Sequence, residues 1–155
     1  MPKIDVVCRP VSEKDFAGWS ALFEGYLEFY HFPSEPEVIK RVWNWLHDPN
    51  HPMQGIVADL ADEGIVGLAH FTTWPLTLVG TDAGYLSDLY VRENLRGGGI
   101  GKALITDVRA EFEKRGWPLL FWLTQETNYR GRRLYDQFTP KSEFIAYMLE
   151  PKSDG

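Results

Sequence analysis

The stretch Leu86–Lys114, L-S-D-L-Y-V-R-E-N-L-R-G-G-G-I-G-K-A-L-I-T-D-V-R-A-E-F-E-K, decides how the rest of the chain is read. An apolar segment ends at Val91, a short polar turn follows, and a glycine cluster opens into an amphipathic pattern. Ile105, Val108 and Phe112 recur on one helical face, with Leu104 beside them. A strand that feeds a glycine-rich turn at a helix start is an anion cradle, because successive backbone amides converge there and the helix dipole favours negative charge. The amides of Gly97, Gly98, Gly99, Ile100 and Gly101 form that cradle, and Arg96 and Lys102 flank it with two cations. A phosphorylated ligand is expected.

Two common phosphate loops do not fit. The nucleotide-triphosphate pattern GxxxxGK[ST] needs glycine where Arg96 stands and Ser or Thr where Ala103 stands. The dinucleotide pattern G-x-G-x-x-G is not matched either, and this strand follows a hairpin instead of opening the fold.

Outward from the loop, the chain reads as alternating strands and helices. Ile4 to Arg9 is β-rich, and Ser12 with Asp15 three positions on is an N-terminal helix signature. Phe16, Trp19, Phe23, Tyr26, Leu27 and Tyr30 then recur at helical steps, and Ser34 to Trp45 is a second helix. Gly55–Leu60 and Ile65–Trp74 are strands joined by the turn A-D-E-G, and Pro75 to Thr81 is a loop before the strand Ala83–Val91. Gly116 ends the helix after the glycine loop. Leu119–Thr124 is nearly all apolar, as for a strand covered on both faces. Thr127–Gln137 reads as a helix, and Glu143–Leu149 alternates like a final strand. The expected fold class is α/β, or α+β by some schemes, in a single domain over residues 4–150 with a polar tail over 151–155.

Composition narrows the function. A chain of 155 residues is one domain by size, with 44% hydrophobic and 25% charged residues. Six Trp, 7 Tyr and 9 Phe supply bulky side chains for a pocket as well as a core. The net charge of −6 argues against a nucleic-acid surface and is compatible with a cationic substrate. Cys8 is the only cysteine, so a disulfide within the chain and a CxxC metal site are excluded, and no metal is expected. The first residues, M-P-K-I-D-V-V-C, lack a signal-peptide pattern, and no run approaches the length of a membrane span. No membrane association and a cytoplasmic location are expected.

The pattern Arg96-x-x-Gly99-x-Gly101 after the strand end L-Y-V resembles the acyl-CoA-binding motif of the GNAT superfamily of N-acetyltransferases, and the order of elements from about Val6 to Leu149 is similar. The resemblance implies a mixed, mostly antiparallel sheet flanked by helices, with two central strands splayed apart to admit the pantetheine arm. It implies that the loop grips the pyrophosphate of acetyl-CoA. The backbone of Leu89, Tyr90 and Val91 would pair with the arm and polarise the thioester carbonyl. Further on, W-L-T-Q-E-T-N-Y-R-G-R-R-L-Y-D places Asn128 and Tyr135 where the family has its asparagine and tyrosine. Seven residues apart on one helix, they would face one way. The resemblance gives Tyr135 the proton donated to the departing thiolate. It gives Asn128 a bond to the cofactor arm or the acceptor amine. Arg130, Arg132 and Arg133 could add contacts to phosphates. The ending Y-D-Q-F-T-P, where many relatives carry a Gly-Phe or Gly-Tyr turn, looks closer to the histone and polyamine acetyltransferase-like subgroup. Homodimers are frequent in the family.

The acceptor side is less defined. Attack by an amine needs it neutral, so a carboxylate or a water chain must take its proton. Asp88 on the motif strand is the first choice, with Glu24, Glu28 and His31 as alternatives. Tyr26, Tyr30, Trp43 and Trp74 could form an aromatic pocket for a cation, or simply pack the core. The sequence therefore predicts an acetyl-CoA-dependent N-acetyltransferase acting by direct transfer to an amine in a ternary complex. A non-catalytic acyl-CoA sensor and a different nucleotide-binding α/β protein are the alternatives.

Overall fold

A computed structural model describes residues 5–153 of the chain, so Ile4 and the last two tail residues lie outside the described part. The chain divides into two compact units, Met1–Leu123 and Thr124–Gly155. The first contains one five-stranded sheet in the order β1 (Val6–Pro10), β2 (Gln54–Leu60), β3 (Gly64–Leu76), β4 (Thr81–Val91) and β5 (Leu120–Trp122). Neighbours run antiparallel except β4 and β5, which are parallel.

Helix α1 (Phe16–Phe29) and helix α2 (Pro36–His47) cover one face of the sheet, and α3 (Ile100–Lys114) covers the other. Side-chain alternation along β3 explains the division. Leu68 joins Trp19, Leu22, Phe23, Ile39 and Val57 in the α1–α2 core. At Gly67, one residue earlier, a Cβ would stand 3.1 Å from Leu104 and 3.3 Å from Ile100 of α3. The helical face read from the sequence is the buried one, since Leu104, Ile105 and Val108 are all inside.

Ser12 and Asp15 form the expected capping box, over a single 3-10 turn that leads into α1. Asp15 also accepts both terminal nitrogens of Arg9, at 2.7 and 2.9 Å, and the same guanidinium reaches Asp59 at 3.1 Å. This ties the first strand, the first turn and β2 together. The second helix begins at Pro36, whose fixed φ suits the first helical position, not at Ser34. Strands β3 and β4 run further toward each other than the loop Pro75–Thr81 allowed, leaving a four-residue turn with Gly80 at φ 66°.

Two expectations are corrected. The strand at Leu119–Thr124 shrinks to Leu120–Trp122, and Leu119 and Leu123 on its flanks are substantially exposed, so it is not covered on both faces. In the second unit the only regular element among the described residues is α4 (Tyr129–Tyr135). Glu143–Leu149 forms no strand, and Phe144, Ile145, Tyr147, Met148 and Leu149 are exposed. Alternation sets which side chains share a face, but a strand exists only where a neighbouring edge takes its N–H and C=O groups.

Candidate active site

Strand β4 is paired along one side and for only three residues on the other. The ladder with β3 runs from Thr81 to Val91, whereas β5 is matched only to Gly84, Tyr85 and Leu86. From Ser87 to Val91 the edge toward β5 therefore has no strand partner among the described residues; Arg96 takes the Val91 carbonyl, and the other groups that face this edge are open to a ligand. Leu89, Tyr90 and Val91 make up this stretch, with the backbone groups of Leu89 and Val91 turned to the open edge and those of Tyr90 turned to β3.

The strand ends in a 3-10 turn (Glu93–Leu95) and then the glycine loop. Gly97 sits at φ 87° and Gly99 at φ 91°, conformations that residues with a Cβ rarely adopt. No atom lies within 4 Å of a Cβ built at either, so the glycines are required for backbone shape and not for room. Gly99 caps α3, and its carbonyl accepts the Ala103 amide at 3.0 Å. The amides of Ile100, Gly101 and Lys102 precede Ala103, the first amide that donates within the helix, and have no intrahelical partner. Lys102 is exposed beside them. Arg96 is fastened to the end of the strand: its Nε donates to the Val91 carbonyl at 2.9 Å, and its guanidinium lies over the rings of Tyr90, at 5.1 Å, and Phe29, at 5.6 Å. Tyr90 in turn packs on Gly25 of α1, where a Cβ would come within 2.6 Å of its hydroxyl.

Further back on β4, Asp88 stands opposite His70 of β3. The Asp88 carboxylate accepts from His70 Nδ1 at 2.8 Å, and the Trp19 indole Nε1 donates to His70 Nε2 at 2.9 Å. An indole N–H can only donate, so Nε2 is the acceptor and the imidazole proton sits on Nδ1, facing Asp88. The side-chain hydroxyls of Tyr26 and Ser87 also bond Asp88. Burial pushes the Asp88 carboxyl up; the bond from His70, the charge of that ring when it is protonated, and the bonds from Tyr26 and Ser87 push it down, and the carboxyl lies below its ordinary range. Asp88 is an anion held by neutral donors.

In the second unit, Asn128 precedes α4 with non-helical dihedrals. Its Oδ1 accepts the Gly131 amide at 3.2 Å and its Nδ2 donates to the Thr124 hydroxyl at 3.0 Å. A Cβ on Gly131 would approach Asn128 Nδ2 to 2.6 Å, so glycine there makes room for the cap. Arg132 bonds the Glu126 carbonyl at 2.7 Å, and Arg130 and Arg133 are exposed. Tyr135 is the last residue of α4 and half-buried.

The profile of the Acetyltransferase (GNAT) family matches residues 19–139. The chain belongs to the GNAT family. It is an N-acetyltransferase, and the family's acetyl donor is acetyl-CoA. This GNAT chain is 29% identical over 147 residues to the D-amino-acid N-acetyltransferase HPA3 of Saccharomyces cerevisiae, a match that spans 92% of the present chain and 89% of the yeast protein. A ribosomal-protein-alanine N-acetyltransferase from Brucella melitensis biovar Abortus 2308 has a similar structure, with a TM-score of 0.80 and 25% identity over 94% of this chain and 99% of that one. The enzyme AAC(6')-Iy, solved with a CoA-containing bisubstrate analogue, is similar at a TM-score of 0.78, covering 96% and 99% of the two chains; at 16% identity this is a likeness of fold.

Measured against the sequence expectations, the GNAT enzyme has its splayed strand edge and its glycine loop in one continuous run. Asn128 is not on the face of a helix as expected, because it is the N-cap of α4, so the two-turn spacing to Tyr135 does not orient it. His31 is an exposed residue at φ 60°, in the position after the α1 cap where glycine is usual, and Glu24 and Glu28 are also exposed. None of these three joins the bonded group around Asp88. The proposed aromatic pocket is divided: Tyr26 and Tyr30 touch each other, Trp43 packs in the core against Trp19 and Phe16, and Trp74 packs against Tyr85 and Phe121. His70 and Trp19 were missed as site residues. The available signal was a histidine inside the apolar run I-V-G-L-A-H-F, a buried polar group in need of partners. Cys8 is inert, its thiol pushed up to about 11 chiefly by burial. Among the described residues, no group of three or more His, Cys, Asp or Glu side chains could hold a metal ion, and no helix is long and apolar enough to cross a membrane.

Proposed function

We propose that the enzyme transfers the acetyl group of acetyl-CoA to a primary amine of a small molecule or peptide by direct attack in a ternary complex. One observation carries this reading: the unpaired edge of β4 runs straight into the positive-φ glycines at the start of α3. Acetyl-CoA needs such an order, with an amide-bearing arm that can pair with a strand edge and a pyrophosphate that suits a helix N-terminus. Gly97, Gly98, Gly99, Ile100, Gly101 and Lys102 take the pyrophosphate in this reading, and Arg96 adds its positive charge beside them. Backbone groups of Leu89 and Val91, on either side of Tyr90, hold the arm and polarise the thioester carbonyl in this reading.

The amine lone pair adds to the carbonyl carbon, the C–S bond breaks, and the thiolate takes a proton from Tyr135, the role its motif position suggests. Asn128, with one donor and one lone pair beyond its cap bonds, contributes to holding the arm or the amine. Asp88, ionised at neutral pH, attracts the acceptor's ammonium. A carboxylate with a lowered pKa is a weak base, so the amine proton passes from it to water and then to bulk. The family match over residues 19–139 supports treating both units as one catalytic domain. The histone and polyamine-like subgroup remains the wider acceptor class, the yeast relative adds amino acids to it, and a cytoplasmic setting completes the reading.

A thermal-shift comparison of acetyl-CoA, ATP and NADH tests the donor, because a ligand that binds the native state raises the melting temperature by mass action. Stabilisation by acetyl-CoA alone, followed by acetylation of at least one member of a panel of polyamines, amino acids, aminoglycosides and lysine peptides, is expected. Stabilisation by ATP or NADH instead, or binding without turnover on any amine, overturns the reading.

A further inference from the structure

Three side chains lead from the middle of the core to one carboxylate. Trp19 is 0% exposed, His70 is 1% exposed, and the Asp88 side chain is 19% exposed. Trp19 is held rigidly, stacked on Phe23 at 5.1 Å and packed on Trp43 at 5.1 Å. A buried imidazole is costly unless both nitrogens are bonded, and an apolar side chain would fill the same place more cheaply if packing were the only demand. Here both nitrogens are bonded, and the donor-only indole fixes the direction of both bonds. The chain of donors ends on the one member that solvent reaches, beside the unpaired edge of β4.

We propose that His70 is a positioning residue for acetyl transfer: locked by Trp19 as the neutral Nδ1–H tautomer, it holds the Asp88 carboxylate ionised and aimed at the acceptor amine. This rests on the reading of Asp88 given above and adds a directional consequence. With Nε2 filled by the Trp19 N–H, His70 cannot take a second proton without breaking a buried bond. A proton that reaches Asp88 therefore leaves by water and not through the imidazole. The pair works as a fixed donor and an anion, and is not a proton relay.

The test has one arm on the wild-type protein and one on variants. Long-range proton–nitrogen NMR of the wild-type protein should find Nδ1 of His70 protonated and Nε2 bare at neutral pH. An imidazolium or the Nε2–H tautomer overturns the proposal, whatever the variants do. His70→Leu should lower kcat by on the order of 100-fold, within the range for a lost acid–base arrangement, with KM for acetyl-CoA unchanged within about twofold. His70→Asn, whose amide N–H can replace Nδ1–H, should recover most of that loss. Full kcat in His70→Leu, or equal losses in the Leu and Asn variants, overturns it. Failure of the parent reading looks different: a wild-type protein that turns over no amine.

Discussion

The two ends of the unpaired β4 edge build sites in opposite ways. At Val91 the strand runs into a cradle made of consecutive residues and of backbone alone, where Gly97 and Gly99 contribute a dihedral angle and nothing else. At Asp88 the site is made of side chains gathered from α1, β3 and β4, with Trp19 and His70 separated by 51 positions and His70 and Asp88 by 18. A backbone cradle is indifferent to most side chains and intolerant of a changed φ. An assembled side-chain site is the reverse, since each member depends on the placement of the others. The first recognises a ligand by its phosphate. The second can be tuned to an acceptor.

That contrast can be broken at several points. Gly99→Glu should have the largest effect, removing acetyl-CoA binding by roughly 100-fold or more in isothermal titration, because it combines a strained φ with a negative charge at a helix N-terminus. Gly99→Ala separates the two causes: with open space around the added Cβ, it should cost only about 1–2 kcal/mol of loop strain. Tyr135→Phe should lower kcat by about 100-fold and leave the Kd for acetyl-CoA unchanged, since only a proton donor is lost. Unaltered turnover would remove Tyr135 as the acid. Asp88→Asn keeps a bond acceptor for His70 and loses the charge, so kcat should fall at least as far as in His70→Leu, by roughly 100-fold, and KM for a cationic amine should rise by roughly tenfold, as for a partly exposed ionic contact. A rise of the same size for acetyl-CoA would place Asp88 on the donor side instead.

The smallest effect sharpens the comparison by contrast with a carboxylate that has no chemistry. Arg9 holds the Asp15 carboxyl down at about 2, from an ordinary 3.8. A depressed carboxyl stabilises the fold above its unfolded value, and the contribution disappears as pH falls through the folded value. Asp15 should thus contribute about 2 kcal/mol that is fully present above pH 5 and is lost between roughly pH 4 and 2. Urea unfolding of the wild type and of Asp15→Asn should differ at pH 6 and converge by pH 2, with kcat of the variant unchanged at neutral pH. A fall in kcat would give Asp15 a part in the chemistry after all.

The same contrast explains what could be read from the sequence. The glycine loop, the start of α3 and the A-D-E-G hairpin are local, and residues next to each other in sequence decide them. The Asn128 cap was also within reach, since asparagine is a favoured N-cap, but the sequence pattern starts the helix at Thr127, two residues too early. His70 was out of reach because its meaning depends on which residue of β4 lies opposite, and that register is set across the sheet. The final strand failed for a related reason: F-I-A-Y-M-L has the alternation of a strand, but alternation carries no information about whether an edge is available to it.

One irregularity in the β3–β4 ladder settles which side of the sheet can hold an anion. His70 pairs with Asp88 and Phe71 with Leu86, leaving Ser87 as an extra residue. Leu86 and Asp88 are two positions apart and in a regular strand would share a face, yet the bulge puts Leu86 with Phe71 on the α3 side and Asp88 with His70 on the α1 side. Ser87 thus acts as a parity bit. Deleting it would shift one half of β4 by one place, and either Asp88 would be driven under α3 or Leu86 turned toward α1. Point substitutions at Ser87 can adjust the site, but the length of the strand cannot change by one without exchanging the two faces.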